Sequence, residues 1–450
     1  MHIYTGIEKP ALLELMSTAF SGFPSPTPFP MSTLDNVILL DLTQGPTLAF
    51  KDVGQQVVAQ LLHHYLSLRN AATACKPGGS VEKAHVMIDT SGDTGPAAIA
   101  GVKGSPFLDI TVLYPHGRTS EVQELQMLTV PPAHPNVHIY RAEGCCDDLS
   151  SVLKEVFGDR AFVEQHNVIS INSINWARIA AQSTYYVWAY LQVFRSRFSV
   201  GQPVNVVIPS GAFGNAMGCF LARRMGVPIG RVVCATNVND VVHRAISAGD
   251  LSMGPNLATL TPAMDIQFAY NLERMVYFMI EDSEDPDLRA DPSAALRPIM
   301  AAVDEQYSSL SPGVAPVRLS PAIMVSVQSV FASCSVSDEQ ALDTMREAWT
   351  ENGIALCPHS AVGVCAGRGL FRALSENAPL LSVLTAHPSK FEHAFKLATG
   401  EVPQQLAHNP TDGLKLLPQG CEWLRQHGRD NWRAEWIKIL KDNVVACTEK

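Results

Sequence analysis

Short apolar segments alternate with helical patterns between residues 85 and 235, and this alternation restricts the fold more than any other feature of the chain. The segments that predict buried strands are 85–89, 108–114, 136–140, 167–171, 204–208 and 231–235. The segments that predict helices are 96–101, 121–128, 148–157, a long run from about 175, and 215–225. Strands separated by helices form parallel sheets that are covered on both faces. We therefore predict an α/β protein with two α/β domains around a central cleft.

Domain boundaries are predicted from changes in composition along the chain. Residues 1–35 are rich in Pro, Ser and Phe and predict an irregular N-terminal arm. A buried strand and an amphipathic helix follow the arm. We assign residues 36–84 together with 200–450 to a large domain. Residues 85–199 are assigned to a smaller domain that carries a substrate-binding loop.

Composition and charge exclude several classes of protein. Apolar residues make up 46% of the chain and charged residues 17%, which is typical of a globular protein and not of a disordered one. The net charge is −10 without a cluster of Lys and Arg, so we expect neither a nucleic-acid partner nor a membrane anchor. No secretory signal is predicted. Ten cysteines without a C-x-x-C pair predict reduced thiols in a cytoplasmic protein, and no metal site is expected.

The loop Pro209–Asn215 (PSGAFGN) follows an apolar strand and precedes a helix. Its glycines allow backbone N–H groups to turn inward, and the helix dipole favours an anion at this position. The loop is therefore a candidate phosphate site. A tight turn that needs glycine for steric reasons explains it equally well when it is considered alone.

Two further loops carry candidate groups. The loop Thr90–Pro96 (TSGDTGP) also lies between a strand and a helix and offers hydroxyls, a carboxylate and N–H groups, although a capped helix start is an equal alternative. In Gly45–Asp52 (GPTLAFKD), Lys51 begins an amphipathic helix beside Phe50. An amine near apolar surface suits Schiff-base chemistry, whereas a surface lysine is the alternative when this segment is considered alone. Together the three loops fit a pyridoxal-phosphate site.

Nine motifs occur in the order of the threonine synthase family, and the chain resembles that family over roughly residues 35–400. The motifs are GPTLAFKD (45–52), TSGDTG (90–95), LYPHGRTS (113–120), NSINWARI (172–179), PSGAFGN (209–215), ATNVND (235–240), AMDIQ (263–267), CPHSAVG (357–363) and TAHPSKF (385–391). Segments such as QELQMLTV (123–130) resemble the threonine synthase-like 2 phospho-lyases in particular. The resemblance implies the fold-type-II architecture of pyridoxal-phosphate enzymes, which is that of tryptophan synthase β, with the cofactor bound by the large domain.

The resemblance also implies a role for each candidate residue. Lys51 would bind the cofactor covalently and then move protons at the Cα and Cβ atoms of the substrate. The cofactor would be held by Ser210, Gly211, Ala212, Phe213, Gly214 and Asn215 at its phosphate, and by Thr385 at its pyridine nitrogen. The substrate would be bound by Ser91, Gly92, Asp93 and Thr94 at its carboxylate and amine, and by Arg118, Asn175 and Arg178 at its phosphate.

The activity that the resemblance implies is elimination of phosphate from O-phosphohomoserine or O-phosphothreonine, giving 2-oxobutyrate, ammonia and phosphate. The enzyme would be a cytoplasmic monomer or homodimer. One alternative is a threonine synthase, and a second is a tailoring enzyme of secondary metabolism that catalyses γ-replacement. A third, outside enzymes, is a cofactor-free relative that acts through protein contacts.

Two departures from the family pattern bear on the activity. Only 50 residues precede Lys51, without the family's Tyr-x-Ser-Thr-Arg-Gly segment, so a shortened N-terminal lobe and a less closed site are expected. Ala212 stands where threonine synthases carry Asn. We expect both departures to favour release of an elimination product over addition of water.

Overall fold

The computed structural model describes residues 6–24, 26–74, 81–197, 201–309, 316–374, 378–403, 406, 421–425 and 431–448. The chain divides into two compact units. Unit 1 consists of Met1–Pro28, Gln44–Arg178 and His408–Lys450. Unit 2 consists of Phe29–Thr43 and Ile179–Ala407.

Each unit contains one sheet. The described strands are β1 (Met31–Leu34), β2 (Val37–Asp41), β3 (Ala84–Asp89), β4 (Leu108–Pro115), β5 (Val137–Ala142), β6 (Val168–Ile169), β7 (Val204–Pro209), β8 (Ile229–Thr236), β9 (Phe331–Ser335), β10 (Leu380–Leu384) and β11 (Glu422–Leu424). The sheet of unit 1 has the order β11-β5-β4-β3-β6 and is parallel throughout. The sheet of unit 2 has the order β1-β2-β10-β7-β8-β9, in which β1 alone runs antiparallel to its neighbour.

The helices connect and cover these strands. Those described are Lys9–Ala19, Lys51–Ala74, Thr94–Val102, Glu121–Leu128, Cys146–Gly158, Arg160–Gln165, Trp176–Arg197, Gly214–Arg224, Val241–Ala248, Leu272–Glu281, Pro286–Ala290, Pro292–Ser309, Pro321–Val330, Asp338–Asn352, Pro358–Leu374, Glu392–Thr399 and Trp432–Thr448, with 3₁₀ turns at Pro262–Met264 and Pro388–Phe391. Within the part of the chain that the structure describes, no helix is long and apolar enough to cross a membrane.

Strand β3 shows why apolar residues dominate the strands of unit 1. All of its residues are buried, because both faces of the sheet are covered. Val86 and Ile88 belong to a core cluster with Val58 of the helix Lys51–Ala74. Met87 points to the other face and belongs to a second cluster with Trp436 of the helix Trp432–Thr448. Covered faces of this kind are typical of parallel sheets.

The predicted α/β class with parallel sheets is confirmed, and the N-terminal segment differs from its prediction. Residues 1–35 were expected to form an irregular arm, but the structure places a helix at Lys9–Ala19 and strand β1 in this range. Pro10 lies in the first turn of the helix, where its missing N–H costs nothing. The Pro-rich composition therefore describes only the short stretch between these two elements.

The two units also divide the chain at other positions than the predicted domains. The helix Lys51–Ala74 lies in unit 1, because its Val58 and Ala59 pack with Ala98 of the helix Thr94–Val102. Strand β11 also belongs to unit 1, because it pairs with β5. Pairings between segments so far apart in the chain leave no mark in local composition.

Candidate active site

Lys51 is the first residue of the helix Lys51–Ala74, and its side chain is 12% exposed. Its Nζ atom lies 5.2 Å from the centroid of the Phe50 ring, which is the apolar neighbour that the sequence predicted. The same atom lies 3.6 Å from Oδ2 of Asp93, whose side chain is buried. Sequence reasoning placed Asp93 in the substrate-binding loop and did not foresee this contact, because 42 positions (93 − 51) separate the two residues.

Asp52 fixes the segment that leads to Lys51. Its buried carboxylate accepts hydrogen bonds from the backbone N–H of Thr47 at 2.9 Å, from the Thr47 hydroxyl at 2.6 Å and from the backbone N–H of Ala49 at 3.3 Å. A Cβ atom at Gly45 would overlap the Asp52 side chain, so the turn requires glycine there. The motif GPTLAFKD is thus a turn built around one carboxylate, and it sets where the Lys51 side chain begins.

Replacing Asp52 with alanine is expected to lower the free energy of unfolding by about 3 kcal/mol, because two buried N–H groups and a hydroxyl lose a charged acceptor. Urea denaturation checks this expectation. Asp343→Ala is the matched control, because the Asp343 side chain is 52% exposed and pairs only across the surface with Arg346. Equal losses in the two variants would contradict the role assigned to Asp52.

The loop Thr90–Gly95 is held by its own side chains and by Gln123. The Thr90 hydroxyl accepts hydrogen bonds from the N–H groups of Gly92 and Gly95, both at 3.0 Å. Gly92 has a φ of +133°, and a Cβ atom there would overlap Gln123. The Gln123 amide donates to Oδ1 of Asp93 at 2.8 Å and also closes the capping box of its helix with Ser120. Gln123 was not predicted as a site residue, although its motif QELQMLTV was noted.

The charge on Asp93 decides what this loop can bind. The carboxylate lies between the Gln123 amide and the Lys51 amine, and it would repel a substrate carboxylate while attracting an amine. The half-buried hydroxyls of Ser91 and Thr94 are the side chains of the loop that suit a substrate carboxylate. Gly92 serves the turn.

A second buried carboxylate anchors the strand end below this loop. Asp89, the last residue of β3, accepts hydrogen bonds from the Ser150 hydroxyl and the Asn172 amide. Burial raises the pKa of Asp89, and the hydrogen bonds from Ser150 and Asn172 oppose that rise. The hydrogen bond from Asn172 connects the motif NSINWARI to the strand that carries the loop TSGDTG.

The three predicted phosphate-binding residues have different surroundings in unit 1. Arg118 is half-buried and follows the carboxyl end of β4, the neighbour of β3. The Asn175 amide donates to the Ser170 carbonyl at 3.0 Å and its oxygen accepts from the Ala177 N–H at 3.0 Å, which is how a residue caps a helix start. Arg178 is 2% exposed and donates from a terminal guanidinium nitrogen to the Ile171 carbonyl at 2.9 Å.

Hydrogen bonds to backbone carbonyls fix the orientation of the loop Ser210–Gly214 of unit 2. The Ser210 hydroxyl donates to the Ile208 carbonyl at 3.0 Å, and the Ser210 N–H donates to the Ala235 carbonyl at 2.8 Å. The Ala212 carbonyl accepts from the Asn271 amide at 2.9 Å and is thereby turned to that side. Phe213 has a φ of 63° and stands at the start of the helix Gly214–Arg224.

Among the buried polar atoms of unit 2 that have no hydrogen-bond partner within the described residues, two belong to residues predicted to bind the cofactor. They are Oγ1 of Thr385 and Nδ2 of Asn215, and both side chains are at most 5% exposed. Oδ1 of Asn215 accepts from the hydroxyls of Tyr185 and Tyr186, both at 2.6 Å, which fixes the orientation of the amide. Buried polar groups are normally paired, so both atoms suit a ligand. Because Thr385 follows β10 and the loop follows the adjacent strand β7, the two groups lie at the same sheet edge.

Side chains of the motifs ATNVND and AMDIQ form one hydrogen-bond network next to the loop Ser210–Gly214. The Asn237 amide donates to Oδ1 of Asp265 at 2.8 Å, and the Thr259 hydroxyl donates to the same oxygen at 2.6 Å. Burial raises the pKa of Asp265. The network holds the segment that includes Ala263, whose carbonyl would lie 2.8 Å from a Cβ atom at Gly211. Gly211 is therefore required by close packing.

Comparisons with known proteins agree with one another. A family model described as "Threonine synthase, C-terminal" matches residues 360–429. The chain is 36% identical over 441 residues to threonine synthase-like 2 of Homo sapiens, covering 97% of this chain and 83% of the relative. It is 34% identical over 405 residues to threonine synthase of Schizosaccharomyces pombe, covering 87% of this chain and 76% of the relative.

Solved structures agree with these sequence matches. The structure of PLP-bound threonine synthase from Brucella melitensis is similar, with a TM-score of 0.78 and 31% identity, covering 98% of this chain and 85% of that chain. Threonine synthase from yeast gives a TM-score of 0.79 and 31% identity, with coverages of 96% and 84%.

Proposed function

Because the chain belongs to the threonine synthase family, we propose that it eliminates phosphate from O-phosphohomoserine or O-phosphothreonine. It is a pyridoxal-phosphate-dependent enzyme of the lyase type that acts on phosphorylated amino acids. The proposal concerns the product: 2-oxobutyrate, ammonia and phosphate are formed from one substrate molecule and one water. The observation that carries the choice of a phosphorylated substrate is the burial of Arg178, whose Cα, Cβ and Cγ atoms lie beside Gly54 in the first turn of the helix that Lys51 begins.

Residues at the strand ends of unit 2 fit pyridoxal phosphate. Asn215 Nδ2 and the N–H groups of Gly211–Gly214 supply donors for a phosphate at a helix start, and the Thr385 hydroxyl suits the pyridine nitrogen. Lys51 would bind the cofactor covalently. When bound, pyridoxal phosphate acts as an electron sink that stabilises negative charge at the substrate Cα.

Lys51 is proposed as the base that moves protons at Cα and Cβ. With O-phosphothreonine it would take the proton from Cα as phosphate leaves Cβ. With O-phosphohomoserine it would take protons from Cα and Cβ as phosphate leaves Cγ, and Cγ then gains a proton. The Asp93 carboxylate at 3.6 Å positions the amine and attracts the amine of an incoming amino acid. Ser91 and Thr94 are proposed to bind the substrate carboxylate.

The substrate phosphate is assigned to Arg178 and Arg118. A buried guanidinium such as that of Arg178 forms strong charge-assisted bonds with phosphate oxygens. Arg118 lies at the same sheet edge as the loop of Ser91, which supports the assignment. Asn175 is proposed to contribute through the helix start that it caps, since its amide bonds to backbone groups.

Ala212 favours elimination over threonine formation. The methyl group of Ala212 offers no hydrogen bond, and its carbonyl is bonded to Asn271. A synthase has to position one water for attack at Cβ, and such positioning is sensitive to displacements of about an ångström. Without the side-chain amide of the synthases at this position, release of the unsaturated product and its hydrolysis are favoured.

The product ratio tests this proposal. With O-phosphohomoserine as substrate, 2-oxobutyrate is expected to exceed threonine, with phosphate released in equal amount to their sum. Ala212→Asn is the informative variant and is expected to raise the share of threonine. An excess of threonine from the unchanged enzyme would establish the synthase alternative. Incorporation of another nucleophile at the γ-carbon would establish the replacement alternative.

A cytoplasmic location and a monomer or homodimer are also proposed. None of the nine cysteines that the structure describes forms a disulfide, which is consistent with a reducing compartment.

A further inference from the structure

Three side chains that can bind a metal, those of Asp109, His138 and Cys447, meet on one face of the unit 1 sheet. They lie near the amino ends of its strands. His85 pairs with Asp109 in the register of β3 and β4, and Thr111 pairs with His138 in the register of β4 and β5. Asp109 and Thr111 are two residues apart, so these side chains share a face. The candidate active-site loop of Ser91 follows the opposite, carboxyl end of β3.

The helix Trp432–Thr448 covers this face and supplies the third side chain. Its Trp436, Leu440 and Val444 belong to one core cluster with Met87 of β3. Cys447 lies three residues after Val444, on the same side of the helix, and is buried as well. The packing of the helix therefore holds the Cys447 thiol against the strands.

The donor atoms are close enough to share one ion. One donor atom each from Asp109, His138 and Cys447 lies within 4.8 Å of the other two. Sγ of Cys447 lies 3.2 Å from Nε2 of His138. Zinc holds sulfur at about 2.3 Å and imidazole nitrogen at about 2.0–2.1 Å, so tetrahedral ligands are roughly 3.5 Å apart. The distance between Sγ of Cys447 and Nε2 of His138 is close to this value.

We propose that Asp109, His138 and Cys447 bind one Zn²⁺ ion. A thiolate and an imidazole select zinc over calcium or magnesium, which prefer oxygen ligands. Three protein ligands leave a fourth position for water. The site lies at the opposite end of the unit 1 strands from the loop of Ser91 and does not depend on the proposed function.

No sequence motif indicates this site. His138 and Cys447 are 309 positions apart, and the ligands come from two strands and a helix rather than from a short motif. A search for C-x-x-C spacing cannot detect such a set.

The Lys83 ammonium group competes with a metal ion for the Asp109 carboxylate. Its Nζ lies 4.0 Å from Oδ2 of Asp109, and its side chain is 32% exposed and able to move aside. A cation close to a ligand carboxylate opposes a second cation. Lys83→Gln is therefore expected to tighten zinc binding several-fold, a direction of change that a merely structural role would not produce.

Cobalt titration of the full chain with its pyridoxal phosphate bound tests the proposal. Co²⁺ bound to a thiolate gives an intense charge-transfer absorption in the near ultraviolet, measured as a difference spectrum, and Zn²⁺ added later displaces it. One equivalent of Co²⁺ per chain is expected to saturate this signal. Cys447→Ser is expected to abolish it, whereas Cys365→Ser, a change at a half-buried cysteine of unit 2, leaves it intact.

Two more variants keep the test decisive if Cys447→Ser fails to fold. His138→Gln and Asp109→Asn are each expected to weaken zinc binding at least tenfold in a chelator competition. Absence of the thiolate band in the folded protein, or its persistence in Cys447→Ser, would overturn the site. Because the readout is the metal spectrum, it is independent of turnover and of the product ratio.

Discussion

Replacing Lys51 with alanine is expected to lower turnover by about 10²–10⁴-fold or more and to abolish the visible absorbance of covalently bound cofactor. The amine is proposed both to bind the cofactor and to move protons, so one substitution removes two functions. Its placement supports this expectation. It begins a helix, is mostly buried, and lies 3.6 Å from a carboxylate that holds it in one position.

Lys51→Arg separates the chemistry from the ion pair. The guanidinium retains a positive charge beside Asp93 but stays protonated, so it is expected to be as inactive as alanine. Lys103→Ala is the matched control, because Lys103 is an exposed lysine at the end of a neighbouring helix of unit 1. Wild-type rates in Lys51→Ala would refute the catalytic assignment.

The fold could be predicted from periodicity because burial acts on every residue of an element. All six residues of β3 are buried, and its apolar residues Val86, Met87 and Ile88 are the direct result of a sheet covered on both faces. The helix Glu121–Leu128 has the predicted bounds, since Ser120 and Gln123 form a capping box that local sequence specifies. The grouping of elements into units depends instead on pairings such as β11 with β5, which local sequence does not encode.

The motifs predicted which residues belong to the candidate site, but they did not predict which of these side chains contact one another. Asparagine before a helix is a common cap, so the capping role of Asn175 could have been inferred from its position alone. The pairing of Lys51 with Asp93 and the contact of Gln123 with the same carboxylate join three separate segments. A motif shows that these segments matter together, but only the folded chain shows which atoms meet.

Replacing Arg178 with alanine is expected to raise the KM for phosphorylated substrate about 10–150-fold, which corresponds to a charge-assisted bond of about 1.5–3 kcal/mol. The affinity for unphosphorylated homoserine or threonine should change far less. Both are measured on the same preparation, the first by phosphate release and the second by the absorbance of the bound cofactor.

A structural role has to be separated from substrate binding, because Arg178 is buried and donates to the Ile171 carbonyl at 2.9 Å. Gln55→Leu provides the control, since the Gln55 amide donates to the same carbonyl at 3.0 Å and carries no charge. If lost support of that carbonyl is the whole effect, the two variants will weaken phosphorylated and unphosphorylated ligands alike. A selective loss in Arg178→Ala alone would mean that the guanidinium charge acts on the substrate phosphate.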